Sequence, residues 1–298
     1  MEGNYLLVKL VFHSPYYSYP AGAEGGHGPT LPPPSTLIGA LMAAYLRLRG
    51  PTEEMPPPRL VNSIKYVYFW APPYAATASL NTHFTWLAQR KQRLELIRAM
   101  GILSKAIAGA ASEEELREAA RIIINHARGP KELEPVHLKS DPHSWIVKLR
   151  AMLLSPWPTY ETYFWGDAYV LYLVDGELEE IRRAANHLFR VGPKETLVSS
   201  DVVEVKSIKR IEGSVGTRFY LPKEATTSAC RRVEHMLTAL GDPVELVYLA
   251  RQTKEFCLPA PYTDEPEFYD PAPGWVGVEL ETEDGAFQVV VPERYAPS

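Results

Sequence analysis

The chain has 298 residues, 46% of them hydrophobic and 22% charged, with a formal net charge of −5. That length allows one large domain or two ordinary ones around a substantial core. No apolar run reaches the ~18 residues that span a bilayer, and the opening MEGNYLLVKLVF carries an acid and a strand-like run, unlike a signal peptide, so a cytoplasmic location is expected. Cys230 and Cys257, without paired C-x-x-C spacing, suggest neither a disulfide framework nor a zinc site. Nine Asn and Gln residues in total beside 27 Pro are compatible with a thermophilic source.

Asn4 to Phe12, NYLLVKLVF, predicts a strand buried on both faces. It runs into a loop with Tyr16, Tyr17, Tyr19 and four glycines, Gly22, Gly25, Gly26 and Gly28. Three prolines at 32–34 force an extended approach, and Ser35 and Thr36 then offer hydroxyls that can cap a helix. Leu37, Leu41, Ala44, Tyr45 and Leu48 recur at helical spacing, and Gly50-Pro51 ends the helix. Gly39, in mid-helix, reads either as tight packing on a sheet or as close approach of another backbone, RNA included.

Leu60 to Trp70 predicts a second strand, with Ile64, Tyr66 and Tyr68 alternating against Lys65, Val67 and Phe69. Thr85 to Ala110 and Ser112 to Ala127 predict helices, the second opened by a capping box between Ser112 and Glu115. Asp141-Pro-His143 reads as a turn. Strand periodicity returns at Thr162, a helix follows over Glu177–Phe189, and Ser200–Ile208 reads as another strand. With 71–160 set aside, the order is strand, helix, strand, strand, helix, strand, the ferredoxin-like pattern. Its sheet leaves one face clear of helices, the platform on which RRM-type proteins bind RNA. Beyond it, a helix is expected over Ala225–Leu240, with strands near Val244–Ala250, Trp275–Glu281 and Ala286–Val291, the last two joined by an Asp-Gly hairpin turn. The fold class is therefore α+β: a ferredoxin-like domain over 1–216 with a helical insertion at about 71–160, and a C-terminal β-rich part over 217–298.

Taken whole, the charge argues against a nucleic-acid partner; its distribution does not. Residues 261–298 hold nine acids and one base, leaving +3 for residues 1–260. Within 181–210, seven bases (Arg182, Arg183, Arg190, Lys194, Lys206, Lys209, Arg210) stand against three acids. Such local basicity can hold phosphates, or it can be an ordinary solvated face.

Two stretches carry a resemblance. A strand, a proline-rich loop and PPPSTLIGAL opening a helix resemble the start of the CRISPR-associated RAMP proteins, and more narrowly of Cas family five, the subunit that caps the 5′ end of the guide RNA in Cascade. RVGPKETLVSSDV, Arg190 to Val202, resembles that family's second landmark loop. The resemblance implies a subunit of an archaeal type I-A-like effector that holds the 5′ handle of CRISPR guide RNA. It also implies contacts with a backbone RAMP subunit and the large subunit, with 71–160 projecting as an arm, and no cofactor.

On the residues themselves, Gly192 lets backbone amides face a phosphate, or simply caps a helix. Arg190, Lys194 and Thr196 supply two cations and a hydroxyl. Tyr16 and Tyr17 could stack bases, or pack on their own domain. Ser35 and Thr36 could bind a phosphate at a helix start. Arg90 and Lys91 could track an RNA backbone, or face water. The rival class is a metal-independent endoribonuclease processing CRISPR repeat RNA, with His13, the loop tyrosines and Lys194 converging. The resemblance is to the branch that leaves processing to a separate nuclease, so the chain is expected not to be an enzyme. The histidines show no metal-ligand spacing.

Overall fold

The computed structural model describes residues 4–18, 29–50, 58–82, 90–126, 133–153, 156–192, 196–238 and 253–297. Tyr19, the four loop glycines, Lys194 and the expected strand Val244–Ala250 lie outside the described residues. The chain divides into two compact units, 1–79 with 158–298, and 80–157.

In the first unit, β1 (Asn4–Phe12) is central, paired antiparallel with strands on both sides. Its alternation sends Leu6, Val8 and Leu10 to one core and Leu7 to another. A short β2 (Tyr16–Ser18) follows, then α1 (Pro34–Arg49). The expected hydroxyl caps are absent. Pro33 is the N-cap with no side-chain bond, Pro34 fills the first helical position, and the Pro33 carbonyl takes the N–H groups of Thr36 and Leu37. Gly50, at φ 82, ends the helix with its N–H on the Leu46 carbonyl. Leu37, Leu41, Ala44 and Tyr45 are buried as expected, while Leu48 is exposed. Gly39 is exposed with nothing within 4 Å of where a Cβ would sit, so the reading of tight packing on the sheet does not hold.

Where one strand was expected over Leu60–Trp70, a helical turn α2 (Pro58–Ser63) precedes β3 (Ile64–Trp70), closed by the Ser63 hydroxyl on the Leu60 carbonyl. β4 (Tyr74–Thr82) leads out of this unit.

The second unit holds α3 (Arg90–Ile107), α4 (Glu113–His126), α5 (Pro135–Ser140) and α6 (Pro142–Leu153) around Leu96, Leu103, Leu116, Ile123, Leu138 and Leu149. The Ser112–Glu115 box forms as the sequence specifies, amide to side chain in both directions at 2.9 and 3.2 Å. A hydrogen bond from Lys105, then that amide, holds the Glu115 carboxyl down to about 2. Asp141, expected in a turn, accepts the Ser144 N–H at the start of α6.

β5 (Pro156–Phe164) returns the chain to the first unit, where Tyr16–Ser18 pairs with its Tyr160–Thr162 in a sheet of order β2-β5-β4. β6 (Ala168–Val174), α7 (Leu178–Ala185) and β7 (Val198–Val203) complete a four-stranded antiparallel sheet of order β3-β6-β1-β7, the ferredoxin-like arrangement. Its first face packs on α1 and α7 through Ile38, Leu41, Ile181 and Ala184.

The opposite face is not the open platform expected. After β7 the chain turns at Glu204 into β8 (Val205–Ile211), so the single strand expected over Ser200–Ile208 serves two sheets. β9 (Val215–Thr217) and β10 (Leu221–Pro222) follow, then β11 (Val233–Leu237), β12 (Thr253–Cys257), β13 (Glu267–Tyr269), β14 (Trp275–Thr282) and β15 (Ala286–Pro292). β15-β14-β8 forms a sheet whose Val278, Leu280, Phe287, Val289 and Val291 share a core with Leu7, Tyr68, Leu171 and Leu173 of the first sheet. Both faces of the ferredoxin-like sheet are therefore buried.

The expected helix over Ala225–Leu240 is replaced by a 3-10 turn at Lys223–Ala225 and by β11. Thr226 and Thr227 donate their hydroxyls to the Asp270 carbonyl, and these side-chain bonds compete with helix formation. The two cysteines correct a second expectation. β11 pairs with β12 so that Val233 faces Cys257, and this register brings Cys230 within reach of a disulfide with Cys257, Cα atoms 5.3 Å apart. Spacing in sequence carried no sign of it.

The least foreseeable feature is Arg218, only 1% exposed. Its guanidinium donates to four backbone carbonyls: Ala71 at 2.7 Å, Glu265 at 3.0 Å, Pro72 at 3.2 Å and Ala260 at 3.3 Å.

Candidate nucleic-acid interface

The loop after α7 is a narrow hairpin. Arg190 and Leu197 form a bridge, the Val191 N–H donates to the Thr196 carbonyl, and the Val198 N–H donates to the Phe189 carbonyl. This hairpin is sewn to residues 13–17. The His13 N–H reaches the Leu197 carbonyl at 2.9 Å, the Leu197 N–H reaches the Ser14 hydroxyl at 2.9 Å, and the Tyr17 N–H reaches the Thr196 hydroxyl at 3.2 Å. Gly192, at φ 85, completes the junction. A Cβ there would lie 3.2 Å from the Tyr16 ring, 3.6 Å from the Thr36 methyl and 3.8 Å from the Tyr17 carbonyl. Gly192 ends no helix, because α7 stops at Ala185. It is required for a positive φ and for close packing together.

Gly192→Ala is accordingly expected to cost roughly 1–2 kcal/mol from the backbone alone. Its melting temperature should fall by a few degrees. An unchanged melting curve would mean the loop relaxes without loss.

The structure thus gathers Tyr16, Tyr17, Thr36, Gly192 and Thr196 at one place, and assigns several of them other work than expected. Tyr16 is 2% exposed and burial suppresses its acidity, so its ring is not free to stack a base. Thr196 is fully buried. Its hydroxyl donates to the Pro15 carbonyl and accepts from Tyr17, leaving no role toward a phosphate. At the start of α1, Ser35 and Thr36 are both half-buried. Tyr17 remains half-buried at the rim. Arg90 and Lys91 are the first residues of α3, in the second unit.

The cations also sort themselves. Of the seven expected between 181 and 210, Lys209 pairs with Glu281 at 3.3 Å and Arg210 with Glu293 at 2.9 Å, so part of the acidic C-terminal stretch neutralises part of the basic one. Arg182 and Arg183 are exposed on α7 and make no ion pair among the described residues. Arg190 stacks on the ring of Phe189, its guanidinium carbon 5.7 Å from the centroid. Arg47, near the C-terminus of α1, stands over the same ring at 4.4 Å. Phe189 is 36% exposed. An open aromatic ring flanked by two guanidinium groups offers a stacking face with phosphate-binding cations beside it.

Arg47 and Phe189 were not singled out from sequence. Phe189 closes the helix expected over Glu177–Phe189, which in fact ends four residues earlier. His13, the one histidine considered for catalysis, is exposed and shares a hydrogen bond with the Ser199 hydroxyl at 3.1 Å.

No helix among the described residues is long and apolar enough to cross a membrane, and no group of three or more His, Cys, Asp or Glu among them could hold a metal ion. No protein-family model matches the sequence, and no curated protein matches it. A solved structure similar to this chain is described as "Crystal structure of a CRISPR protein from Archaeoglobus fulgidus". The two are 12% identical over 97% of this chain and 98% of that one, with a TM-score of 0.48. At that level of likeness nothing about this chain's function rests on it.

Proposed function

We propose that the chain is a non-catalytic, guide-RNA-binding subunit of a type I-A-like CRISPR effector, holding the 5′ handle of the guide RNA beside a backbone RAMP subunit and the large subunit. One observation carries the reading. The two stretches that resemble Cas family five lie some 150 residues apart in sequence, yet Thr36 of PPPSTLIGAL packs against Gly192 of the RVGPKETLV loop. A ferredoxin-like sheet beneath them supports the same reading.

Since both sheet faces are buried, the RNA would not lie on the sheet as in RRM proteins. It would run along the rim formed by α1, α7 and the hairpin, with a base on Phe189 and phosphates at Arg47, Arg190 and the α7 arginines.

The test is equilibrium binding of a single-stranded RNA of CRISPR-repeat sequence. Arg190→Ala should weaken binding and lower the log–log salt slope by roughly 0.7, the contribution of one phosphate contact on a single strand. Phe189→Ala should cost about 1–3 kcal/mol of affinity if one base stacks there. Wild-type affinity and slope in both variants would sink the proposed rim. Intact RNA after incubation in EDTA is expected as well; site-specific cleavage abolished by His13→Ala would replace the binding role with an endoribonuclease.

A further inference from the structure

Trp165 and Tyr262 stand open to water, 56% and 70% exposed. They flank one short piece of backbone. The Pro73 carbonyl accepts the Trp165 N–H at 2.9 Å, and the next carbonyl, of Tyr74, accepts the Tyr262 N–H at 3.1 Å. These two adjacent carbonyls therefore tie the Trp165 and Tyr262 backbones to one point of the chain. Phe164 turns inward against Phe12, Phe69 and Tyr74. Strand alternation therefore puts Tyr163, also exposed, on the outer face with Trp165.

The surface is built to stay in place. Tyr262 has φ 62, a conformation that bulky residues rarely adopt and that the surrounding structure must impose. The buried Arg218 guanidinium imposes it, bonding the Ala260 and Glu265 carbonyls on either side of Tyr262 and the Ala71 and Pro72 carbonyls just before Pro73. On the same clamped loop, Asp264 and Glu265 are exposed, and neither carboxylate is ion-paired among the described residues. The Tyr163 hydroxyl donates to a third carboxylate, Glu161, at 3.0 Å.

From this arrangement we infer that the Trp165–Tyr262 surface is a docking site for a basic, arginine-bearing segment of a partner protein. A guanidinium stacks on aromatic faces and pairs with carboxylates through its planar fork, and this surface offers both on a rigid frame. Interleaved carboxylates repel phosphates, so the same rings do not suit a nucleic acid. Fixing the loop beforehand removes the ordering cost that a mobile site would bear on binding. The site uses none of the rim's arginines and does not depend on the RNA reading.

The probe is a fluorescent peptide of alternating glycine and arginine, titrated with the full chain at low salt. Saturable binding is expected, weakened roughly tenfold by Trp165→Ala or Tyr262→Ala. Asp264→Asn with Glu265→Gln should also weaken it and flatten its salt dependence. Glu283→Gln, an exposed acid elsewhere, should leave it unchanged. The lysine counterpart of the peptide should bind more weakly, because ammonium groups lack the planar face. Should Tyr262→Ala fail to fold, Trp165→Ala alone decides, its side chain being largely in water. Equal affinity in wild type and Trp165→Ala overturns the inference. So does oligouridylate binding that falls in Trp165→Ala while peptide binding does not, since that would make the surface a nucleic-acid site.

Discussion

Replacing Arg218 with methionine is expected to destabilise the protein by about 3–5 kcal/mol, the cost of leaving several buried carbonyls without a donor. Methionine matches much of the volume but supplies no donor, and the carbonyls of Ala71, Pro72, Ala260 and Glu265 would lose their partner together. Each buried carbonyl left unpaired costs roughly 1–3 kcal/mol unless water reaches it. Burial disfavours the charged guanidinium and lowers its pKa. Its ordinary value is so high that it stays protonated across the working range, so the four bonds are charge-assisted. Arg218→Lys keeps the charge and loses the fork, and should fall between the two. The measurement is the urea midpoint at constant m-value; a midpoint equal to the parent's for Arg218→Met would mean that water replaces the guanidinium without cost.

Leu280→Ala should be nearly as damaging, at about 2–5 kcal/mol, the usual cost of a buried leucine cut to alanine. Leu280 is fully buried between the ferredoxin-like sheet and the β15-β14-β8 sheet, with Val278, Leu7 and Leu171 in the same cluster. Were the C-terminal strands a detachable appendage, this change would barely alter the melting of the rest. A single cooperative transition shifted downward is the expected thermogram. Two separated transitions, with only the smaller one affected, would show that the C-terminal sheet folds apart from the first.

The sequence carried the α+β architecture well where periodicity speaks for itself. β1, β6, α1, α7 and the last hairpin all follow from apolar spacing with their stop signals, and the capping box at Ser112 has only one reading. It misled where long-range contacts decide. The alternation over 64–69 does not say that a second sheet covers Tyr66 and Tyr68, and no pattern in 60–70 announces that sheet. The polar run after Ala225 reads as helix, and only the Asp270 carbonyl, some 45 residues on, explains why it is not. The disulfide and Arg218 share this cause, each being defined by a partner distant in sequence. In the candidate site, the meeting of the two distant loops could be expected from resemblance alone. Which of their side chains are buried as ties (Tyr16, Thr196) and which stay open (Phe189, Arg190) depends on packing that residue type does not reveal.

The central position of β1 has a consequence for synthesis. Its nearest partner in sequence, β6, is about 160 residues downstream, as in the pairing of Leu10 with Ala168, and β7 comes later still. At a ribosomal pace of about 5–20 residues per second, NYLLVKLVF waits roughly 8–30 s after it emerges before it can form a ladder. During that interval it is an apolar, β-prone segment with a single charge, Lys9, to discourage pairing with another chain. The helical unit emerges in between with its own core of Leu103, Leu116 and Ile123 and can close on local contacts, before the sheet whose strands lie on both sides of it in sequence. The order of folding is therefore expected to run against the order of the chain, with the insertion first and the N-terminal strand among the last.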